Sequence, residues 1–293
     1  MPVTPTNLGF PRIGANRELK KALEDYWGSK LSEADLIEKA KELRRRHWRW
    51  QQQAGIAHIP SNDFSLYDHV LDTTAMTGAV PPRYRWSGAT VDLKTYFAMA
   101  RGSSDGAGVT AMEMTKWFDT NYHYIVPEFE AGQVFRLAST KVIDEFLEAK
   151  ALGIETRPVL LGPVSFLLLG KSKSPSFDPL SLIPALVPVY EEVLRRLNEA
   201  GAAWVQIDEP CLVLDFPKTI QATFSDTFSR LSAAARSTRI LLATYFESLH
   251  TNLSLALQLP VAGVHLDLVR GSGQLDAALA SVPSHLTLSL GVI

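Results

Sequence analysis

From Arg157 onward the chain repeats one unit: an unbroken apolar run, a polar turn, then a stretch of helical periodicity. The runs are "PVLLGPVSFLLL", "AWVQIDEP", "RILLATYFES", "AGVHLDLV" and "LTLSLGVI", with helical stretches such as "ALVPVYEEVLRRLNEAG" and "SDTFSRLSAAARS" between them. Apolar runs without polar alternation read as strands buried on both faces, and strands separated by helices pair in parallel. Two earlier runs, "TNLGF" and "IAHIP", bring the expected total to seven. A closed barrel of this alternating type needs eight strands. The fold class expected is therefore α/β, a (βα)8 TIM-type barrel truncated after the seventh strand. It would form one domain over residues 1–293, with a long insertion at about 62–157 between the second and third strands.

The first helix carries a puzzle. In "GFPRIGANRELKKALEDYW", Leu19, Ala22, Leu23 and Tyr26 have the spacing of one buried face, which turns Arg17, Glu18 and Lys21 outward with Lys20 at the margin. The N-terminus of a helix is already the positive end of its dipole, so Arg17 and Lys20 cost stability there unless an anion meets them. Ser32 with Asp35 three residues on marks the start of a second helix, with Leu36, Ala40 and Leu43 inward and its end near Gly55.

Composition narrows the function classes. A net charge of -2 and a pI near 6.4 give no global basic field, which argues against a nucleic-acid partner. The only cysteine, Cys211, excludes an internal disulfide and points to a reducing compartment, so a cytoplasmic protein is expected. No segment reaches the ~20 apolar residues that span a bilayer, and "MPVTPTNLGF" has no signal-peptide pattern, so no membrane partner is expected.

Chemistry in such a fold collects at the C-terminal ends of the strands. The polar residues there are Arg12; Ser61, Asn62 and Asp63; Asp208 and Glu209; Thr244, Tyr245 and Glu247; and His265, Asp267 and Arg270. Two consecutive carboxylates in "QIDEP" are expensive to bury without partners or a ligand, the bland alternative being a rim salt bridge. Cys211 reads as a small core residue and His123 as one packed among aromatics; no metal-ligand spacing is present. Lys116 and Asn121 bracket Trp117 and Phe118, a set suited either to a planar ligand with carboxylates or to a loop pinned by its rings.

Longer motifs narrow the choice. "LGFPRIGANRELKKALEDYW", "SLYDHVLDTTAM", "AMEMTKWFDTNYHYIVPEF", "PVLLGPVSFL" and "WVQIDEPCLVLD" together resemble the N-terminal domain of the cobalamin-independent methionine synthase family, over nearly the whole chain. The resemblance implies half of a methyltransferase acting on 5-methyltetrahydropteroyltri-L-glutamate and L-homocysteine. It implies two barrels in one chain, with zinc and no cobalamin, and with the zinc held by the C-terminal barrel, the partner of this domain. Where that second barrel has a His-x-Cys and then a Glu, this chain has Ala243 and Tyr245, then Asp267, so no catalytic or metal residue is expected here. The family's folate-tail contacts map onto Arg17, Glu18, Leu19, Lys20, Lys116 and Asn121, which would supply the missing anion as glutamate carboxylates.

Two other readings use the same architecture. A glycoside hydrolase would use Glu209 and a second strand-end carboxylate. A scaffold would tie Asp208, Glu209 and Asp267 into ion pairs.

Overall fold

Leu19, Ala22 and Leu23 are all buried, which fixes the inner face of the first helix, α1 (Glu18–Trp27). In the computed structural model, residues 3–103, 108–172, 174 and 176–293 are described. The second helix, α2 (Glu33–Gln53), begins as its sequence dictates, with the Ser32 hydroxyl accepting from the Asp35 amide at 3.1 Å. Its Leu36, Ala40 and Leu43 pack with the α1 residues and with Phe97 and Met99 in a satellite core.

After strand β1 (Ile59–Ser61) come α3 (His69–Thr77), α4 (Leu93–Arg101) and an antiparallel hairpin of β2 (Met114–Lys116) with β3 (His123–Ile125). A short β4 (Glu128–Phe129) and helix α5 (Lys141–Ala151) lead into β5 (Thr156–Leu161). From there the expected rhythm follows: α6 (Pro163–Leu168), β6 (Lys171–Ser172), α7 (Ile183–Ala200), β7 (Trp204–Asp208), α8 (Lys218–Ala235), β8 (Arg239–Ala243), α9 (Leu253–Gln258), β9 (Gly263–Asp267), α10 (Leu275–Ser281) and β10 (Thr287–Gly291).

The main sheet has six strands in the order β1-β5-β7-β8-β9-β10, every pair parallel. Its covering helices bury the largest core; Tyr190, Val193 and Leu197 of α7 lie with Phe224, Phe228 and Leu231 of α8 in that cluster. Within the segment 62–157, α5 is the crossover helix of the β1–β5 pair, its Val142, Phe146 and Ala149 buried. The β2–β3 hairpin forms a sheet of its own, apart from the main one.

The count of seven strands needs correction. "TNLGF" forms one parallel bridge, Thr6 to His58, beside β1 and no strand. Its next carbonyls are taken by side chains instead of a backbone ladder: Arg157 Nη2 donates to Asn7 O at 2.7 Å and Gln206 Nε2 to Leu8 O at 3.2 Å. Both donors are buried and need acceptors, and the segment supplies them. At the other end, β10 pairs only with β9 among the described residues, so its outer edge is open.

Candidate functional site

Strands β1, β5, β7 and β8 end side by side, and Asn62, Leu161, Asp208 and Tyr245 bring those ends to the wall of one cavity of about 380 Å3. Asn62 has a left-handed backbone (φ 62), a conformation that asparagine tolerates better than most side chains. It is held there by three bonds: its amide donates to Glu145 Oε2 (3.1 Å), its Nδ2 to Val159 O (2.8 Å), and its Oδ1 accepts from Lys141 Nζ (2.8 Å).

Burial pushes the Asp208 carboxyl up to about 7, although Gln206 Nε2 (2.7 Å) and the Tyr245 hydroxyl (3.0 Å) donate to it. Asp63, which accepts from the Phe10 amide at 2.8 Å, is pushed up to about 6 by the same cause. Asp68 caps α3 by accepting from Leu71 N (2.8 Å) and also from Ile125 N of the hairpin (3.1 Å); burial raises it to about 7. Beside it His69 is lowered to about 4 by burial, so its imidazole is neutral at pH 7. The strand ends therefore present carboxyl groups poised near neutrality.

Glu209 turns away from this cavity. It accepts from Ser165 N (2.7 Å) and Val164 N (3.2 Å) at the start of α6, and burial raises it to about 7. A Cβ at Gly162 would lie 2.1 Å from Glu209 Oε1, so only glycine leaves room for this arrangement. Asp267 accepts from the Phe246, Val269 and Arg270 amides. Among the described residues neither Asp208 nor Glu209 forms a salt bridge; backbone amides and neutral side chains satisfy them. The ion pairs required by a scaffold are thus absent there, and the acid named for a glycosidase is occupied.

The residues expected to meet a folate tail lie outside the cavity wall. Arg17 is exposed at the N-cap of α1 with a left-handed backbone (φ 60), and Lys20 is exposed, its Nζ 3.6 Å from Glu24 Oε1. Glu18 accepts from Arg46 at 2.5 Å and from the Asn16 amide at 2.8 Å; hydrogen bonding to its own amide leads the effects that lower its carboxyl. The Leu19 side chain is fully buried, and its amide donates to Ile13 O at 3.1 Å while that of Arg17 donates to Gly14 O at 3.1 Å. Any anion here is therefore met by side-chain cations rather than by those two amides.

Lys116 and Asn121 are exposed on the β2–β3 hairpin. Between them the chain is pinned: Trp117 is buried edge-on to Phe118 and Tyr124, and Phe118 lies 5.2 Å from Phe246 after β8. Arg270 fixes the hairpin turn through both oxygens of Asp119, at 2.6 and 2.7 Å. The segment bearing Arg17 and the hairpin bearing Lys116 both reach the cavity wall, the first through Arg12 and the second through Trp117, Thr120 and Tyr122. His123 is exposed at that wall and not packed among rings as its neighbours suggested; His69 holds the place against Trp117.

Residues 4–293 match the model described as cobalamin-independent synthase, N-terminal domain. The chain belongs to that family. The 5-methyltetrahydropteroyltriglutamate–homocysteine methyltransferase of Parvibaculum lavamentivorans is 61% identical over all of this chain, which covers 38% of that protein. The one from Caulobacter vibrioides is 56% identical, with 100% of this chain and 40% of the relative covered. The chain thus spans about two fifths of the length of these relatives.

Two solved structures share the fold. A putative vitamin-B12 independent methionine synthase from Listeria monocytogenes aligns over 99% of this chain and 92% of its own, with TM-score 0.59 at 12% identity. A B12-independent methionine synthase from Shewanella sp. W3-18-1 aligns over 89% and 83%, with TM-score 0.60 at 15% identity.

The resemblance places its zinc in a second barrel, and the residues at the matching positions of this domain offer no ligand set. Ala243 has no donor, the Tyr245 hydroxyl is spent on Asp208, and both oxygens of Asp267 accept from backbone amides. Among the described residues no group of three or more His, Cys, Asp or Glu side chains is placed to hold a metal ion. Cys211 is buried, and burial pushes its thiol up to about 12, which leaves it inert as a nucleophile at neutral pH.

Sequence reasoning collected Asp63 and Asp208 at the strand ends and missed Asp68, His69 and Tyr122. Asp68 had a readable signal, a capping aspartate just before the apolar pattern of α3. Tyr122 had none, because only the hairpin fold carries it to the cavity.

Proposed function

We propose that this chain is the folate-side half of a methyltransferase that moves a methyl group from 5-methyltetrahydropteroyltri-L-glutamate to L-homocysteine, giving L-methionine. The observation that carries this reading is the 61% identity to a protein of that name across 100% of this chain. In this reading Arg17, Lys20 and Lys116 meet the carboxylates of the glutamate tail through charge-assisted hydrogen bonds, and Asn121 donates through its amide. Glu18 with Arg46 holds the helix start, and Leu19 anchors it by burial. The chemistry at the homocysteine sulfur, and the zinc that activates it, belong to a C-terminal barrel outside this chain. The chain alone binds folate weakly and transfers no methyl group.

The same reading takes the parallel sheet as the wall of a (βα)8 barrel, with the open edge of β10 as the place where a further strand pairs. The segment 62–157 then elaborates the β1–β5 crossover and brings Lys116 within reach of the tail. A buried free thiol suits the reducing cytoplasm.

Each exposed charge contact contributes about 1 kcal/mol or less, so several must act together to favour the triglutamate. Calorimetric titration with mono- and triglutamylated methyltetrahydrofolate tests this on the chain alone and joined to its C-terminal barrel. Tighter binding of the triglutamate is expected, weakened by Lys20→Ala and Lys116→Ala, and weakened more at low salt than at high salt. Equal affinity for both tails in both proteins rejects the assignment.

A further inference from the structure

With the tail contacts set outside, the cavity at the strand ends retains recognition chemistry that the proposed function does not use. Among the described residues its carboxylates are Asp63, Asp68, Asp72 and Asp208, and its one lining cation is Arg12. The guanidinium of Arg12 is already donated to the carbonyls of Ser65 and Tyr67. Asp72 is matched by Lys141 at 3.2 Å and by the Tyr96 hydroxyl at 2.6 Å, and Asp68 is spent on two amides. Asp63 accepts from one backbone amide only, whereas each oxygen of Asp208 takes a donor from a neutral side chain; among the described residues neither forms an ion pair.

The other walls are flat and apolar: Trp117, Tyr122, Tyr245 and Phe246. His69 lies edge-on to Trp117, centroids 4.4 Å apart, and its Nε2 is shut off from solvent with no hydrogen-bond partner among the described residues. Shut off from solvent, that nitrogen offers nothing to a molecule in the cavity, and the imidazole contributes its ring to the wall. A volume of about 380 Å3 lies within the usual range for small-molecule sites.

We propose that this cavity binds a small organic cation of the amidinium or guanidinium class carrying a flat apolar body. A planar fork of N–H donors matches Asp63, which accepts from a single backbone amide, while Asp208 adds a second acidic group to the same wall. The attached ring lies against Trp117 and Phe246, where the aromatic faces favour positive charge. A metal ion is disfavoured by the grouping of the donors, and an anion by the carboxylates. This site shares no residue with the tail contacts and does not depend on the folate reading.

Benzamidine, benzamide and benzoate titrated calorimetrically into the 293-residue chain test the proposal. Benzamidine is expected to bind saturably, at least about tenfold tighter than neutral benzamide, with benzoate not binding. Asp208→Asn, Asp63→Asn and Trp117→Leu should each weaken benzamidine several-fold, whereas Arg230→Ala, remote on α8, should not. Thermal unfolding of each variant identifies any that fails to fold, and the comparison of amidine with amide needs no variant. Benzamide binding as tightly as benzamidine, or no saturation by about 10 mM benzamidine, overturns the proposal. Either result leaves the folate titration untouched, so the two readings fail separately.

Discussion

Asp208 shows how one buried residue couples stability to pH. An unfolded aspartate titrates near 4, whereas burial raises Asp208 to about 7, so the folded chain holds its proton longer. Its contribution is intact below pH 4 and is lost as pH rises toward 7, the opposite of a salt-bridged carboxylate. Asp63, Arg157, Gln206 and Tyr245 face it, and only Arg157 offsets the charge. His47, His69 and His265 are lowered to about 4 by burial and tilt the total the other way between pH 4 and 6.5. The clean measurement is therefore a difference: relative to the parent, Asp208→Asn should gain on the order of 2 kcal/mol between pH 5 and pH 8 in urea unfolding. A difference that does not vary with pH would contradict the buried-acid account. Gly162 makes a second residue-scale case, since any side chain there meets Glu209. Gly162→Ala should cost about 1–3 kcal/mol in the same assay, and Glu209→Ala on that background should recover part of it.

At the scale of elements, Asp68 joins two pieces that sequence reading keeps apart. One oxygen caps α3 and the other holds the amide of Ile125 in the hairpin. Asp68→Ala removes a cap and strands a buried amide, which together should cost about 2–4 kcal/mol, while Asp68→Asn should cost less because one acceptor remains. Chemical denaturation of both variants checks the order. The strand-helix rhythm after Arg157 and the Ser32 cap were legible because short-range periodicity and capping decide them. The loss of the first strand was not, because it depends on Arg157 and Gln206, which lie 150 and 198 residues from the carbonyls they take. The cavity was half legible for the same reason: Asp63 and Asp208 follow apolar runs, whereas His69 and Tyr122 reach it through the packing of α3 and the hairpin.

For the whole molecule, the open edge of β10 is the feature with the widest consequence. Thr287 donates its amide to Ala262 O on the β9 side, so by strand alternation the amides of Leu288 and Leu290 face outward, where no described strand pairs with them. Leu290 is 44% exposed and Val292 68%, which adds apolar surface to unpaired backbone, the combination that recruits another strand. Hydrogen exchange should find the Leu288 and Leu290 amides nearly unprotected in dilute solutions of this chain and protected when it is joined to the residues that follow in its relatives. Protection that grows with concentration in the short chain would show two copies pairing edge to edge, and Leu290→Lys should then abolish it. Strong protection in the dilute short chain would mean that the edge is already covered, and the barrel reading with a further strand beyond β10 would have to be given up.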